Sequence, residues 1–363
     1  MSEPIIGTSR YNDIVYIPDD RPNGHIFAVG TSGSGKTTTL LSILVQIAMQ
    51  GKHIIVLNWH GSTARDQMPE YLRNLYDSLT TVIRAKDGIR IPLFSSLVSP
   101  YGEEETENRI VHRVTGILGR SADLSPTRIH ALQEAVRETL LSQEYHTHGV
   151  KAIERNLLAQ EERKATARVT AVQLSGLFAH NVLIDGDLDF THPILEIECN
   201  DLDPADQDIL VKVLLEFLLA KASRDHFKPE GLTVFIDEAH NLSFAKDSIV
   251  TRYLYEARKK SISLCLATPE LPSDKRDNSS VMQAATRLYF IQESTKVIDA
   301  ARQISPNEIN VWSPRLHKLN RGEFILCGRH RISTDIEDTP LLVKAYIPTK
   351  ESDCYALTPS SQK

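Results

Sequence analysis

Short apolar runs punctuate the chain, and most are continuous rather than alternating: Ile26-Phe-Ala-Val29, His53-Ile-Ile-Val-Leu57, Ile194 to Cys199, Leu232 to Ile236, Ile262 to Ala267, Leu288 to Ile291 and Phe324 to Leu326. Strands that are apolar on both faces belong inside a parallel sheet covered by helices. The segments between them change period. Leu40, Leu41, Leu44, Ile47 and Ala48 recur at helical spacing, and Gly51 is placed to end that helix. Ile209, Leu210, Val213, Leu214, Phe217 and Leu218 form a second apolar stripe, opened by Asp203-Pro204. Strand, helix, strand within about 35 residues predicts a right-handed βαβ unit. The class expected is therefore α/β with a mostly parallel sheet.

From Glu103 to His180 no buried strand is evident. Ser125-Pro126 is an N-cap and first-turn pair, followed by Ile129, Leu132, Val136 and Leu140 on one face. Glu154 to Leu177 is charged with spaced apolar positions, again helical, and Glu103-Glu104-Glu105 reads as a solvated loop or helix face. The expected organisation is a lead-in with one short strand at Ile14 to Ile17 (residues 1–24), a first core part (25–95), a helical insertion (96–185), a second core part (186–335) and a C-terminal tail (336–363).

Composition changes this picture little. The net charge of −6 over 363 residues excludes a uniformly basic nucleic-acid coat but leaves room for a local basic pore or groove. Cys199, Cys265, Cys327 and Cys354 form no CxxC pair, and the first three lie in or beside apolar runs, which predicts buried thiols. No apolar run approaches membrane-spanning length, and the N-terminus lacks a charged-then-apolar signal. The expectation is a cytoplasmic protein.

The chemistry concentrates in Gly30-Thr31-Ser32-Gly33-Ser34-Gly35-Lys36-Thr37, which fits the P-loop pattern and sits between a buried strand and a helix. Glycines let backbone N–H groups curl around a phosphate, and the positive end of the helix faces the same anion. Lys36 reaches the β- and γ-phosphates, Thr37 offers Mg²⁺ a hard oxygen, and Thr38 follows in the first turn. ATP and Mg²⁺ are the ligands expected.

A second half-site is written in Val234-Phe-Ile-Asp237-Glu238. An apolar strand ending in acids puts carboxylates at the C-terminal edge of the sheet, where P-loops also lie. Asp237 suits the Mg²⁺ shell and Glu238 the general base that polarises the attacking water. Thr268, ending the next strand, is either a γ-phosphate sensor or the cap of a turn before Pro269. Arg258 heads a basic triplet: a transition-state arginine, supplied across a subunit boundary, or part of a solvated face. Arg287 and Arg21 are further candidates. His60 and His240 lack metal-ligand spacing, so hydrogen-bonding roles are expected.

Together these residues resemble the HerA/FtsK superfamily of P-loop ATPases, the HerA-like branch most closely. The resemblance spans residues 5–330. It is carried by His25 to Thr37, His60-Gly61, the Ile197 strand with its Asp203-Pro204 helix, Phe235 to Asn241, Glu256 to Thr268, Ala285-Thr-Arg287 and Leu319-Asn-Arg-Gly-Glu323. It implies a RecA-like core, a homohexameric ring and ATP-driven pumping of double-stranded DNA, with a nuclease or a defence effector among the partners such relatives use. The chain departs from the family where Pro269 stands in place of Gln, Asn58 in place of an acid and Gly24 in place of an arginine. About 24 residues precede the P-loop strand, so the β-barrel domain of cellular HerA is not expected, which favours a mobile-element, viral or defence-associated relative.

Overall fold

The computed structural model describes residues 3–59, 65–99, 101–160, 164–224, 231–272 and 278–350; the side chains of residues 257, 258 and 278 are also outside the description. Thirteen strands form one sheet among the described residues. Seven run parallel, in the order Thr80–Arg84, Ile194–Glu198, His53–Asn58, Leu232–Ile236, Ile262–Thr268, Ile26–Val29 and Thr286–Tyr289. The sheet continues antiparallel through Glu323–Cys327, Leu341–Ala345, Ile5–Ser9, Ile14–Tyr16, His330–Ile332 and Asp335–Glu337.

The continuous apolar strands are buried on both faces for a visible reason. Along Ile26–Val29 the side chains alternate between two cores. Ile26 and Ala28 pack with Leu40, Leu41 and Leu44 of the helix Lys36–Met49. Phe27 and Val29 join the opposite core with Leu214 and Phe217 of the helix Pro204–Arg224. The helix that leaves the P-loop and the long helix after Pro204 thus cover opposite faces. This is the RecA-like α/β core, and it places the ends of the parallel strands along one edge.

Between the strands Ile89–Arg90 and Leu183–Ile184, which pair as a small parallel ribbon, the described chain is helical: Glu107–Ser121, Pro126–Ser142, Tyr145–His148, Lys151–Leu158, Lys164–Gln173 and Ser175–Ala179. Their apolar faces, including Val114, Ile117, Leu132 and Val136, share the core of the Phe27 face. Glu216, on the long helix, accepts from Arg120 Nη2 at 2.7 Å and from Arg252 Nη1 at 2.6 Å, tying the helical segment to the core.

The structure differs from the sequence reading at four places. Glu105, read within a solvated run, is buried and receives ion pairs from Arg113 at 2.9 Å and Arg224 at 3.3 Å; two guanidinium groups replace the water it gives up. Leu341–Ala345, within the segment read as a tail, is an interior strand of the antiparallel half. Ile5–Ser9 precedes the single lead-in strand that the sequence suggested. The strand read at Leu288 to Ile291 begins earlier, at Thr286, and ends at Tyr289. Cys199, Cys265 and Cys327 are free and buried, and burial pushes the Cys199 and Cys327 thiols up to about 12. Cys354 lies outside the described residues.

Candidate nucleotide site

The parallel register brings the two half-sites together. Ile262–Thr268 lies between the P-loop strand and the Asp-Glu strand, with Thr268 beside Val29 and Leu266 beside Ile236. All three therefore release their chains at one edge. The P-loop turns there through Gly33 at φ +77° and Gly35 at φ +100°, a region that L side chains rarely enter. Gly30 has a separate constraint: a Cβ there would sit 2.6 Å from Phe290 Cβ. Gly35 caps the helix Lys36–Met49 without any side-chain hydrogen bond, so the first-turn amides of Lys36, Thr37 and Thr38 remain available to an anion.

Lys36 is buried, and its ammonium donates to the carbonyls of Gly30 at 2.7 Å and Thr31 at 3.0 Å. Burial holds its pKa below the ordinary lysine value, opposed by the charges of Asp237 and Glu238. Thr37 Oγ1 donates to Asp237 Oδ2 at 2.8 Å. Burial raises the Asp237 carboxyl, the Thr37 hydrogen bond opposes the shift, and the neighbouring Glu238 charge adds to it. A desolvated carboxylate beside a hydroxyl and a second acid is a site that a hard cation relieves. Two protein oxygens fit Mg²⁺, which keeps waters and takes phosphate oxygens for the rest of its shell; among the described residues no cluster of three His, Cys, Asp or Glu offers an all-protein metal cage. Thr37 and Asp237 would hold the ion, which would supply positive charge to neutralise the phosphates.

Glu238 follows at φ +58°, and its carboxylate meets His240 Nδ1 at 3.1 Å. The cleft is lined by Ser32, Gly33, Lys36, Thr37 and Thr38 of the loop and its helix together with Asn58, Trp59, Gln67, Asp237, Glu238 and Thr268. Ser34 is buried, and its carbonyl accepts from Gly322 N at 2.8 Å, bracing the loop from the far end of the chain.

The structure also sorts the remaining candidates. Thr268 lines the cleft, but its hydroxyl donates to the Glu270 carbonyl at 2.8 Å, the turn-capping role. Arg287 donates to the carbonyls of Met282 and Ala284. Arg21 donates to Thr286 Oγ1 at 3.1 Å and to the Pro18 carbonyl at 3.0 Å, and burial lowers it to about 10. Thr286 pairs with Ile26, the first residue of the P-loop strand, so Arg21 lies at the opposite edge of the sheet from the cleft. Arg258 falls in a 3-10 turn, Ala257–Lys260, just before the Ile262–Thr268 strand, and its side chain lies outside the described residues, as do His60 and Gly61.

Sequence reasoning missed the network behind Asn58. Glu196, fully buried, accepts from Asn58 Nδ2 at 2.8 Å, Arg65 Nη2 at 2.6 Å and Tyr76 OH at 3.0 Å. An acid inside an otherwise apolar strand, Ile194-Leu-Glu-Ile, was the available signal. It also missed Trp59.

Fold and cleft define the class: a RecA-like P-loop ATPase fold. A sequence model described as the type IV secretion-system coupling protein DNA-binding domain matches residues 12–75. Among solved structures, VirB4 of Thermoanaerobacter pseudethanolicus superposes with a TM-score of 0.68 at 17% identity, covering 96% of this chain and 97% of that one. The bacterial conjugative coupling protein TrwB in its unbound form gives 0.58 at 13% identity, over 93% and 88% of the two chains. TrwB in complex with ADP and Mg²⁺ gives 0.57 at 13% identity, over 93% and 89%. A search of curated protein sequences gives no significant match. No helix among the described residues is long and apolar enough to cross a membrane.

Proposed function

We propose that this protein hydrolyses ATP with Mg²⁺ and uses the energy to move double-stranded DNA through a homohexameric, HerA-like ring in the cytoplasm, working with a nuclease or a defence effector. The observation that carries the ATPase reading is the meeting of Lys36, Thr37, Asp237 and Glu238 in one cleft, with Thr37 bonded to Asp237 at 2.8 Å. Each supplies a different requirement of phosphoryl transfer: a cation for the phosphates, two oxygens for the metal and a base for water. The DNA reading is supported by the match over residues 12–75 to the coupling-protein DNA-binding domain.

The deciding experiment measures ATP turnover with and without duplex DNA, on protein whose oligomeric state has been determined. Stimulation by duplex DNA in a hexamer, with binding that weakens steeply as salt rises, is the expected result. Turnover that ignores DNA, with no duplex binding at low salt in the presence of an ATP analogue, would assign the protein instead to assembling a partner complex without moving DNA.

A further inference from the structure

The turn Asn320-Arg321-Gly322-Glu323 opens the Glu323–Cys327 strand and rests on the P-loop. Glu323 N donates to the Asn320 carbonyl at 3.0 Å across it, and Gly322, at φ +80°, supplies the positive φ that a type II turn needs at its third residue. Asn320 also donates to Glu323 Oε2 at 2.8 Å, once from its backbone N–H and once from its side-chain amide. Gly322 is bonded on both sides, to Ser34 of the loop and to Ala345. Arg321 is thus carried at the corner of a turn that is fixed to the phosphate loop.

The Arg321 side chain takes no part in holding that turn. Its Cγ comes within 3.8 Å of the place a Cβ would occupy on Gly35, the cap of the helix Lys36–Met49. Its guanidinium donates to Gln67 Oε1 at 3.4 Å, a long hydrogen bond and the one it makes among the described residues. Gly35 and Gln67 both line the cleft, so the side chain runs from one lining residue to another. Its charge is met there by a neutral amide alone, because Glu323, the acid nearest in sequence, is taken by Asn320. A guanidinium is a planar fork of donors that fits phosphate oxygens, and this one stands beside a helix N-terminus that selects the same anion.

We propose that Arg321 is a binding residue for the diphosphate that ADP and ATP share: its guanidinium gives up the long bond to Gln67 for oxygens of the phosphates held at the helix N-terminus. The direction of approach identifies these phosphates. Glu323–Cys327 lies two strands from Ile26–Val29 on one flank, and Leu232–Ile236, which leads into Asp237 and Glu238, lies two strands away on the other. The metal oxygens and the base for water, with which the transferred group belongs, therefore stand across the loop from the Arg321 turn. The proposal rests on the ATPase reading and adds to it a cation of the chain's own, distinct from one supplied by a neighbour at the reacting phosphate.

The test measures the affinities of full-length parent and Arg321→Ala protein for ADP with Mg²⁺ and for ATPγS with Mg²⁺, by calorimetry at low and at high salt. The bonds that hold the turn come from its backbone and from Asn320 and Glu323, so the variant keeps the brace on the loop. At low salt Arg321→Ala is expected to bind both nucleotides about tenfold more weakly, the scale of one hydrogen bond between charged groups. The loss should shrink as salt rises, because the contact lies between charges near solvent. Unchanged affinities in the variant, with a parent that binds both nucleotides, would overturn the proposal and leave the ATPase reading standing. A loss confined to ATPγS would overturn it by moving Arg321 to the terminal phosphate, and a loss of the same size at every salt concentration would do so by moving Arg321 to the nucleoside. If the parent binds neither nucleotide, the ATPase reading itself fails and this proposal falls with it.

Discussion

The Thr37 hydroxyl reaches the Asp237 carboxylate at 2.8 Å across 200 positions of sequence. Neither residue makes this contact alone. It requires the P-loop strand and the Asp-Glu strand to run to the same edge of the sheet, and the Ile262–Thr268 strand between them sets their register by pairing with both, Phe27 and Ile236 each lying beside Leu266.

Lys36→Ala is expected to abolish ATP turnover. The ammonium now bonded to the Gly30 and Thr31 carbonyls is the cleft's principal cation for phosphate, and alanine leaves the cleft dominated by Asp237 and Glu238. A steady-state phosphate-release assay checks this, and turnover at the parental rate would reject the site.

Glu238→Gln should still bind ATP while hydrolysing it at least about 100-fold more slowly, the scale of losing a general base. The amide nearly matches the carboxylate in shape but cannot take the proton of water. Loss of nucleotide binding, measured by calorimetry, would instead make Glu238 part of the binding wall.

Arg21 and Arg287 are both held away from the cleft, and Arg321, beside Gly35 of the P-loop, donates to Gln67 in the cleft wall. A trans-acting Arg258 is the proposal for a second cation at the reacting phosphate, and such an arginine can contribute about 10³–10⁵ in rate. Mixing Lys36→Ala with Arg258→Ala proteins under subunit exchange should restore part of the activity, because some interfaces recover both residues. No recovery despite demonstrated exchange would place Arg258 in cis or in a structural role.

His25 gives a pH prediction independent of catalysis. Its Nδ1 accepts from the Leu264 amide at 2.9 Å, and its Nε2 is buried without a partner. Burial, with a smaller contribution from Arg21, lowers its pKa from 6.5 to about 4. The unfolded chain therefore takes up this proton first as pH falls. The stability linked to His25 is intact above pH 6.5 and declines as pH drops toward about 4, by roughly 3 kcal/mol in all. Urea midpoints of the parent and of His25→Gln, compared across that window, should converge on acidification. Parallel curves would show that His25 is not the group responsible.

Much of the ATPase half was legible because its strands are apolar on both faces and so announce themselves without alternation. The antiparallel half was not. His330–Ile332 and Asp335–Glu337 are three residues each, carry charged side chains and lie toward an exposed edge, so no periodicity marks them. Leu341–Ala345 contains Lys344 and looks like tail until its pairing with Ile5–Ser9 and Glu323–Cys327 is seen. Glu105 shows the complementary failure: within an acidic run, nothing local identifies the one carboxylate that two distant arginines will hold. For the site, residue type and order sufficed to expect Lys36, Thr37, Asp237 and Glu238 at one edge of the sheet, where they line one cleft. Trp59 and Glu196 became visible only through what they contact.

The brace on the P-loop carries one more consequence. Gly322 donates to Ser34 and accepts from Ala345, while Ser42, on the helix leaving the loop, donates to the Tyr346 carbonyl. The phosphate cradle is therefore not a portable cassette. A fragment holding only strand, loop and helix would carry every residue of the motif and still lack the distant peptide groups that fix its curvature. A chain stopped before Leu341 should bind nucleotide far more weakly than the parent, although it keeps the whole motif. Equal affinity in the two would show that the loop sets its own shape. Braced in this way, the fold makes phosphate recognition a test of completeness, withheld until segments about three hundred residues apart have met.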